Sequence, residues 1–174
     1  MRADVGVPPA GGAPLGEIVD PDPYVGKRSQ MGKVTATAER TIDAPADKVR
    51  ALVADYAETR PKLLTEHYRD YEVTEGGVGA GTKAGWKLQA TSKRVRDVKA
   101  TVTEPRPGTL VETDANSSMV TTWTVAEAGE RSVVKIETAW DGAGGIGGFF
   151  EKTFAPGGLK KIYDGVLGKL AEIV

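Results

Sequence analysis

The stretch from Gly144 to Val174 constrains this chain more than any other. Its apolar groups are Ile146, Phe149, Phe150, Phe154, Leu159, Ile162, Tyr163, Val166, Leu167, Leu170, Ile173 and Val174, and they recur in steps of three and four. That spacing predicts a long amphipathic helix with one wide apolar face. Such a face needs a surface to cover it, and nearly everything between Gly32 and Asp141 reads as strand. The expected class is therefore α+β, a curved sheet closing on a C-terminal helix. Within the helix, Ala155-Pro156-Gly157-Gly158 predicts a hinge, because proline removes a helix hydrogen bond and glycine loosens the turn. The piece carrying Phe149, Phe150 and Phe154, behind the glycine-rich corner 142–148, is the expected gate. The piece from Leu159 to Val174 is the expected permanent grip on the sheet.

The strands can be placed one by one. Lys33 to Ile42 is a Thr/Val/Ala run. Asp43-Ala44-Pro45 then opens a helix whose Val49, Leu52, Val53 and Tyr56 share a face. Pro61 ends or interrupts that region, and residues 62–65 read as a second short helix. Further strands are expected at 68–74, 82–91, 93–103, 109–115, 119–126 and 132–141. Their short links predict an antiparallel meander. Val134, Ile136, Thr138 and Trp140 alternate with Lys135, Glu137 and Ala139, which is one face in and one face out. Residues 1–30 are different. Five prolines and five glycines interrupt any apolar period there, so a flexible tail is expected, with the domain at 31–174.

Several functions are disfavoured by the totals. Lys and Arg number 23 and Asp and Glu 24, a net charge of −1 that gives no reason to expect nucleic acid or an anionic membrane as partner. Cys is absent and His67 is the only histidine, so thiolate chemistry and multi-histidine metal sites are out. No apolar run approaches the roughly 18 residues of a spanning helix, and no apolar leader follows a basic start, so a cytoplasmic protein without cofactor or metal is expected.

Two glycine-rich runs invite a phosphate-binding reading. Residues 142–147 match G-x-G-x-x-G between a strand and a helix, but no further strand with a ribose-binding acid follows. A flexible corner that turns the last strand into the helix explains them better. The run 76–81 lies between two strands and lacks the Lys-Ser/Thr ending of a P-loop; a mobile hairpin at a cavity mouth is expected.

The entry Thr41-Ile42-Asp43-Ala44-Pro45, the Val49, Leu52, Val53 helix with Asp55-Tyr56, the hairpin 76–82 and the junction from Trp140 into the helix resemble the polyketide cyclase/dehydratase-like proteins of the START and birch-pollen-allergen (SRPBCC) superfamily. The resemblance covers residues 34–174. It implies a helix-grip fold, a seven-stranded antiparallel sheet wrapped around the long C-terminal helix, usually with a cavity between them. Members bind lipids, hormones or polyketides, and a few catalyse cyclisation or dehydration.

Candidate residues follow from that picture. Trp86, Trp123 and Trp140 lie on three strands at the parity of the apolar face, beside Leu88, Val125 and Ile136. They would face Phe149, Phe150, Phe154, Ile162 and Tyr163 and line either a pocket or a plain core. Leu64 belongs to the same expected lining. Tyr56, His67, Thr121, Thr138 and Tyr163 are the polar groups expected to orient a ligand. His67 sits where the resemblance places the cavity rim, and it is a weak candidate base against the plainer reading of a loop histidine. Glu112 and Asp114 share one face of their strand and would form an acid/base pair if that face is concave. Arg94 and Arg96 pose the same question, with outward-facing charges favoured because a buried Arg is costly unless paired. The reading with most support is binding of a small hydrophobic molecule, lipid or polyketide-like, between sheet and helix. The alternative is a cyclase, aromatase or dehydratase working by general acid/base catalysis in the same cavity.

Overall fold

The computed structural model describes residues 32–91, 94–141 and 156–174. Strand β1 (Lys33–Ile42) leads into α1 (Ala46–Ala54) and α2 (Arg60–Leu63). Six strands follow: β2 (Tyr68–Glu75), β3 (Lys83–Thr91), β4 (Arg94–Arg106), β5 (Thr109–Asp114), β6 (Val120–Ala128) and β7 (Arg131–Asp141). The chain closes with α3 (Pro156–Ile173). All seven strands form one antiparallel sheet in the order β1-β7-β6-β5-β4-β3-β2. The meander therefore runs from β2 to β7, and β1 adds to its far edge. This is the helix-grip architecture.

The alternation read in the sequence is the alternation that builds the core. Val134, Ile136, Thr138 and Trp140 are all buried, as are Thr121, Trp123 and Val125 on the neighbouring strand. Leu159, Ile162, Tyr163, Val166, Leu167 and Leu170 bury one face of α3. Burial of a large aliphatic side chain contributes about 1.5–3 kcal/mol, so this face supplies most of the hold between helix and sheet.

One proline reading is corrected. Pro61 lies inside the first turn of α2 rather than ending a helix. Pro156 is the first described residue of α3, so the hinge expected at 155–158 reaches outside the described residues. The segment carrying Phe149, Phe150 and Phe154, and the glycine corner 142–148, lie outside the described residues.

The β2–β3 loop is not a loose hairpin. Gly77 O accepts from Tyr56 N (2.8 Å) and Ala57 N (3.1 Å), and Gly79 N donates to Ala54 O at 2.8 Å. These bonds clip the loop to the α1–α2 linker. Gly76 has φ +71°, and a Cβ there would stand 2.9 Å from Thr82 Cα, so the tight turn requires glycine.

Strand β2 shifts its register against β3 twice, and the first shift adds one residue near Asp70. Tyr68 and Arg69 pair in one register with β3, and Glu72 and Val73 pair in a register shifted by one. Asp70, at φ 50°, is the bulged residue. A bulge reverses which side chains face a given side of the sheet. It explains how Tyr68 and Tyr71, three residues apart, come to line the same cavity.

Candidate functional site

The cavity lies on the concave side of the sheet, below α2 and α3. It encloses about 400 Å³ of non-atom space, part of it open to solvent, of which water centres can occupy only about 20 Å³. That is room for about one ordered water, so a larger ligand enters only if the walls move. Leu64 from the end of α2, Tyr68 and Tyr71 from β2, and Trp86 and Leu88 from β3 form one side. Met119, Thr121 and Trp123 form the other, with Tyr163 of α3 above. Trp86 stacks on Tyr71 (centroids 6.2 Å apart, planes at 28°) and lies tilted 6.4 Å from Tyr68. Arg60 and Glu112 complete the lining.

Arg60 is placed by the local chain. Asp55 accepts from Ala57 N, Glu58 N and both the N–H and hydroxyl of Thr59, at 2.8–3.2 Å. Asp55 O receives Arg60 N at 2.8 Å. This turn points the Arg60 side chain inward, where it is 4% exposed. Its Nη1 donates to Glu112 Oε1 at 2.6 Å and its Nη2 to Val53 O at 3.2 Å. The guanidinium lies between two rings, 4.1 Å from the Tyr56 centroid and 4.3 Å from that of Trp123. Tyr56 OH also donates to Glu112 Oε1, at 2.8 Å.

Glu112 is therefore asymmetric. One oxygen holds two strong donors, whereas among the described residues nothing hydrogen-bonds to Oε2. The phenols around it serve as donors, not bases. Burial pushes Tyr163 and Tyr71 up to about 12 and Tyr68 well above its ordinary value. Burial, and then the Glu112 charge, push Tyr56 up as well. The indole N–H groups of Trp86 and Trp123 are buried without a hydrogen-bond partner among the described residues. A carboxylate acceptor and two unpaired donors thus stand around an aromatic space.

The expected site residues fall into groups. Leu64, Trp86, Leu88, Glu112, Thr121, Trp123 and Tyr163 line the cavity. Tyr56 is buried behind it, holding Glu112. Thr138 stands one layer back, hydrogen-bonded to Thr121 (2.7 Å) and to Tyr163 OH, and so fixes both. Trp140 and Ile162 are core residues outside the lining. His67 is a half-exposed group at the α2–β2 junction, with Nδ1 3.2 Å from the Thr65 hydroxyl, and takes no part in the cavity wall.

Glu112 and Asp114 do face inward, but they do not form an acid/base pair. Asp114 accepts from Lys99 N, Asn116 N and Ser117 Oγ, at 2.6–3.1 Å, and so braces the β5–β6 turn. Arg96 also faces inward at 8% exposure, against the outward expectation, because Asp114 lies 3.9 Å from its Nη2 and offsets the cost of burial. The Arg94 side chain lies outside the description.

Arg60, Tyr68, Tyr71 and Met119 were not expected in the site. Arg60 sits in a linker before a proline and carries no period. Tyr71 is hidden by the bulge. The unusual Asp at a strand centre was the one available signal of that bulge, since Asp is depleted in strands and tolerates positive φ.

The arrangement is that of a helix-grip protein with a narrow, aromatic-lined cavity between sheet and helix. Residues 33–174 match the family model described as polyketide cyclase / dehydrase and lipid transport, and the chain belongs to that family. It is similar to the KanY protein, known from an NMR solution structure, at 56% identity and a TM-score of 0.74, covering 82% of this chain and 97% of that one. The ginseng major latex-like protein 151 from Panax ginseng shares the fold at 11% identity, with a TM-score of 0.62 and coverage of 80% and 96%. Norcoclaurine synthase from Thalictrum flavum, solved with dopamine and hydroxybenzaldehyde, does so at 16% identity, with a TM-score of 0.56 and coverage of 82% and 88%. None of the curated protein sequences compared matches the chain. Family and fold mark this as a protein of the hydrophobic-ligand-binding or polyketide-cyclase type. Among the described residues no helix is long and apolar enough to cross a membrane.

Proposed function

We propose that the domain at 31–174 binds a small, mainly apolar molecule carrying a hydroxyl donor, in the cavity between the sheet and α3. The observation that supports this reading is Glu112 at the cavity wall, whose Oε1 is held by Arg60 and Tyr56 while Oε2 has no hydrogen-bond partner among the described residues. The rest of the lining is largely aromatic and aliphatic, so burial of apolar ligand surface supplies most of the affinity. A hydroxyl donating to Oε2 supplies orientation. An anionic ligand is disfavoured, because Glu112 already neutralises Arg60 and its second oxygen would repel a carboxylate.

The test is native mass spectrometry of the protein purified from its own host, followed by extraction and identification of the bound molecule. A bound hydroxylated apolar compound, and a rise in melting temperature when it is added back, is the expected result. A sample that carries nothing and gains no stability from any neutral hydroxylated aromatic defeats the reading.

The same free oxygen favours a second reading, in which Glu112 removes a proton from a carbon acid during cyclisation or dehydration. Exchange of the acidic C–H of benzoylacetone in deuterated water measures that step without knowing the substrate. Catalysed exchange that is lost in Glu112→Gln, with binding retained, supports an enzyme; exchange at the uncatalysed rate rejects it.

A further inference from the structure

Two oxygens at the cavity wall are left open by the protein's own hydrogen bonds. One is Glu112 Oε2. The other is Tyr68 Oη, which has no hydrogen-bond partner among the described residues either. The polar atoms that are both unpartnered and sealed from water include the indole nitrogens of Trp86 and Trp123, but neither of these two oxygens. Both therefore touch space that a water can reach. Glu112 is only 5% exposed, so for its Oε2 that space is the cavity.

The fold aims Tyr68 at the same place. Tyr68 pairs with Leu88 in the β2–β3 ladder, and cross-strand partners share one face of the sheet. Thr65 O accepts from Tyr68 N at 3.0 Å, and Trp86 lies tilted against the phenol ring at 6.4 Å. Backbone and ring are thus both held before the Asp70 bulge begins.

We propose that Tyr68 Oη and Glu112 Oε2 frame a site for a single hydroxyl, filled by one water in the free protein and by the ligand's own hydroxyl in the complex. This rests on the cavity reading above and adds a second contact to it. The ligand oxygen accepts from Tyr68 while its proton goes to Glu112.

Size, polarity and charge support it. Water centres can occupy about 20 Å³ of the cavity, against the roughly 10–15 Å³ that one water needs. A buried water also needs two to four polar partners. Tyr68 supplies a donor and Glu112 an acceptor, and Thr121, which faces Glu112 in the β5–β6 register, lines the same space with Tyr163. A buried carboxylate oxygen without a donor is costly, and a water removes that cost. Burial, then the Tyr163 phenol and the Glu112 charge, push Tyr68 well above its ordinary value, so the phenol keeps its proton and serves as donor.

Such a pair selects among ligand groups. An ether or ketone accepts from Tyr68 but offers Glu112 no proton. An ammonium donates to Glu112 but accepts nothing from Tyr68. A carboxylate meets the Glu112 charge. A neutral hydroxyl does both jobs at one atom, so the ligand class is an alcohol or phenol on an apolar body.

The first test needs neither variant nor ligand. A crystal structure of the unaltered chain, at a resolution that shows ordered water, is expected to place one water within about 2.5–3.0 Å of both Tyr68 Oη and Glu112 Oε2. A water on one of them alone, or on neither, overturns the proposal.

The second test uses 4-methylphenol and 1,4-dimethylbenzene, which have the same shape and differ by a hydroxyl in place of a methyl. Chemical-shift titration of the tryptophan indole signals reads both affinities. The phenol is expected to bind the native chain more tightly. Tyr68→Phe is expected to shrink that advantage about fivefold, the worth of one net hydrogen bond. A purely structural role for Tyr68 would weaken both compounds alike. That result, or an unchanged advantage, overturns the proposal while the cavity reading stands. If neither compound binds the native chain, the cavity reading fails and the ligand site falls with it.

Discussion

Arg60 and Glu112 are 52 residues apart in the chain, and their charged groups meet at 2.6 Å with side chains only 4% and 5% exposed. Such a pair contributes little net stability when exchanged for apolar groups, but breaking it leaves a buried charge alone. Arg60→Met or Glu112→Leu alone is expected to cost about 3–5 kcal/mol. The double replacement Arg60→Met with Glu112→Leu should be far milder than the sum. Urea unfolding of the four proteins measures this. Additive losses would show that the two groups do not act as a pair.

The bulge at Asp70 sets the facing of Tyr71. Asp is among the few residues that accept a positive φ, whereas a β-branched residue pays about 1–2 kcal/mol there. Asp70→Val should lower stability by that amount and Asp70→Gly should be close to neutral. Deleting Asp70 restores a regular register and turns Tyr71 away from the cavity. Its hydrogen bond to Tyr56 O, 2.7 Å long, should then vanish, which chemical shifts of the Tyr71 ring will report.

The Tyr163 phenol gives a stability loss in alkali. Burial raises it from 10.0 to about 12, so the native state holds this proton more tightly than the unfolded chain does. The contribution is full below pH 10 and is lost as the pH rises through about 12. Over that window it amounts to roughly 2–3 kcal/mol. Urea midpoints measured across the window should fall in the native chain. Tyr163→Phe should flatten the part of the slope that belongs to this group, and should cost about 1 kcal/mol at neutral pH through its bond to Thr138.

Asp55 works in the opposite direction. Backbone hydrogen bonds, from Glu58 above all, hold its carboxyl below the ordinary range. Its contribution is present above that ordinary range and is lost as the pH falls through the lowered value. Asp55→Ala should remove about 1 kcal/mol at neutral pH, as for the loss of a helix cap. It should also loosen the turn that aims Arg60, so ligand affinity should fall with it, whereas Asp55→Asn should keep part of both. A variant that binds ligand as the native chain does would separate this turn from the site.

The sheet was legible because antiparallel strands with one buried face write their geometry into the sequence with a period of two. β1 and β7 follow that rule through their buried faces, and the wide apolar stripe of α3 follows its own period. The Trp86 and Trp123 facings were legible for the same reason. Glu112 was legible only as a question, because Leu110 buries the same side of β5 that Glu112 and Asp114 do, and Val111 on the other side is half-buried. An alternating pattern cannot tell a buried carboxylate from an exposed one when its partner lies elsewhere in the chain.

From the sequence alone came the periodic part of this protein: seven strands, a short helical pair, a closing helix and the apolar faces that join them. That follows because backbone geometry repeats and side-chain burial repeats with it. Tertiary structure decided the rest. It brought Arg60 from a non-periodic turn to Glu112 on a distant strand, let an extra residue turn Tyr71 inward, and spent Asp114 on a turn while Glu112 kept one oxygen at the cavity wall. Each of these depends on a partner remote in sequence or on a break in the period, and only the break leaves a local trace, in Asp70.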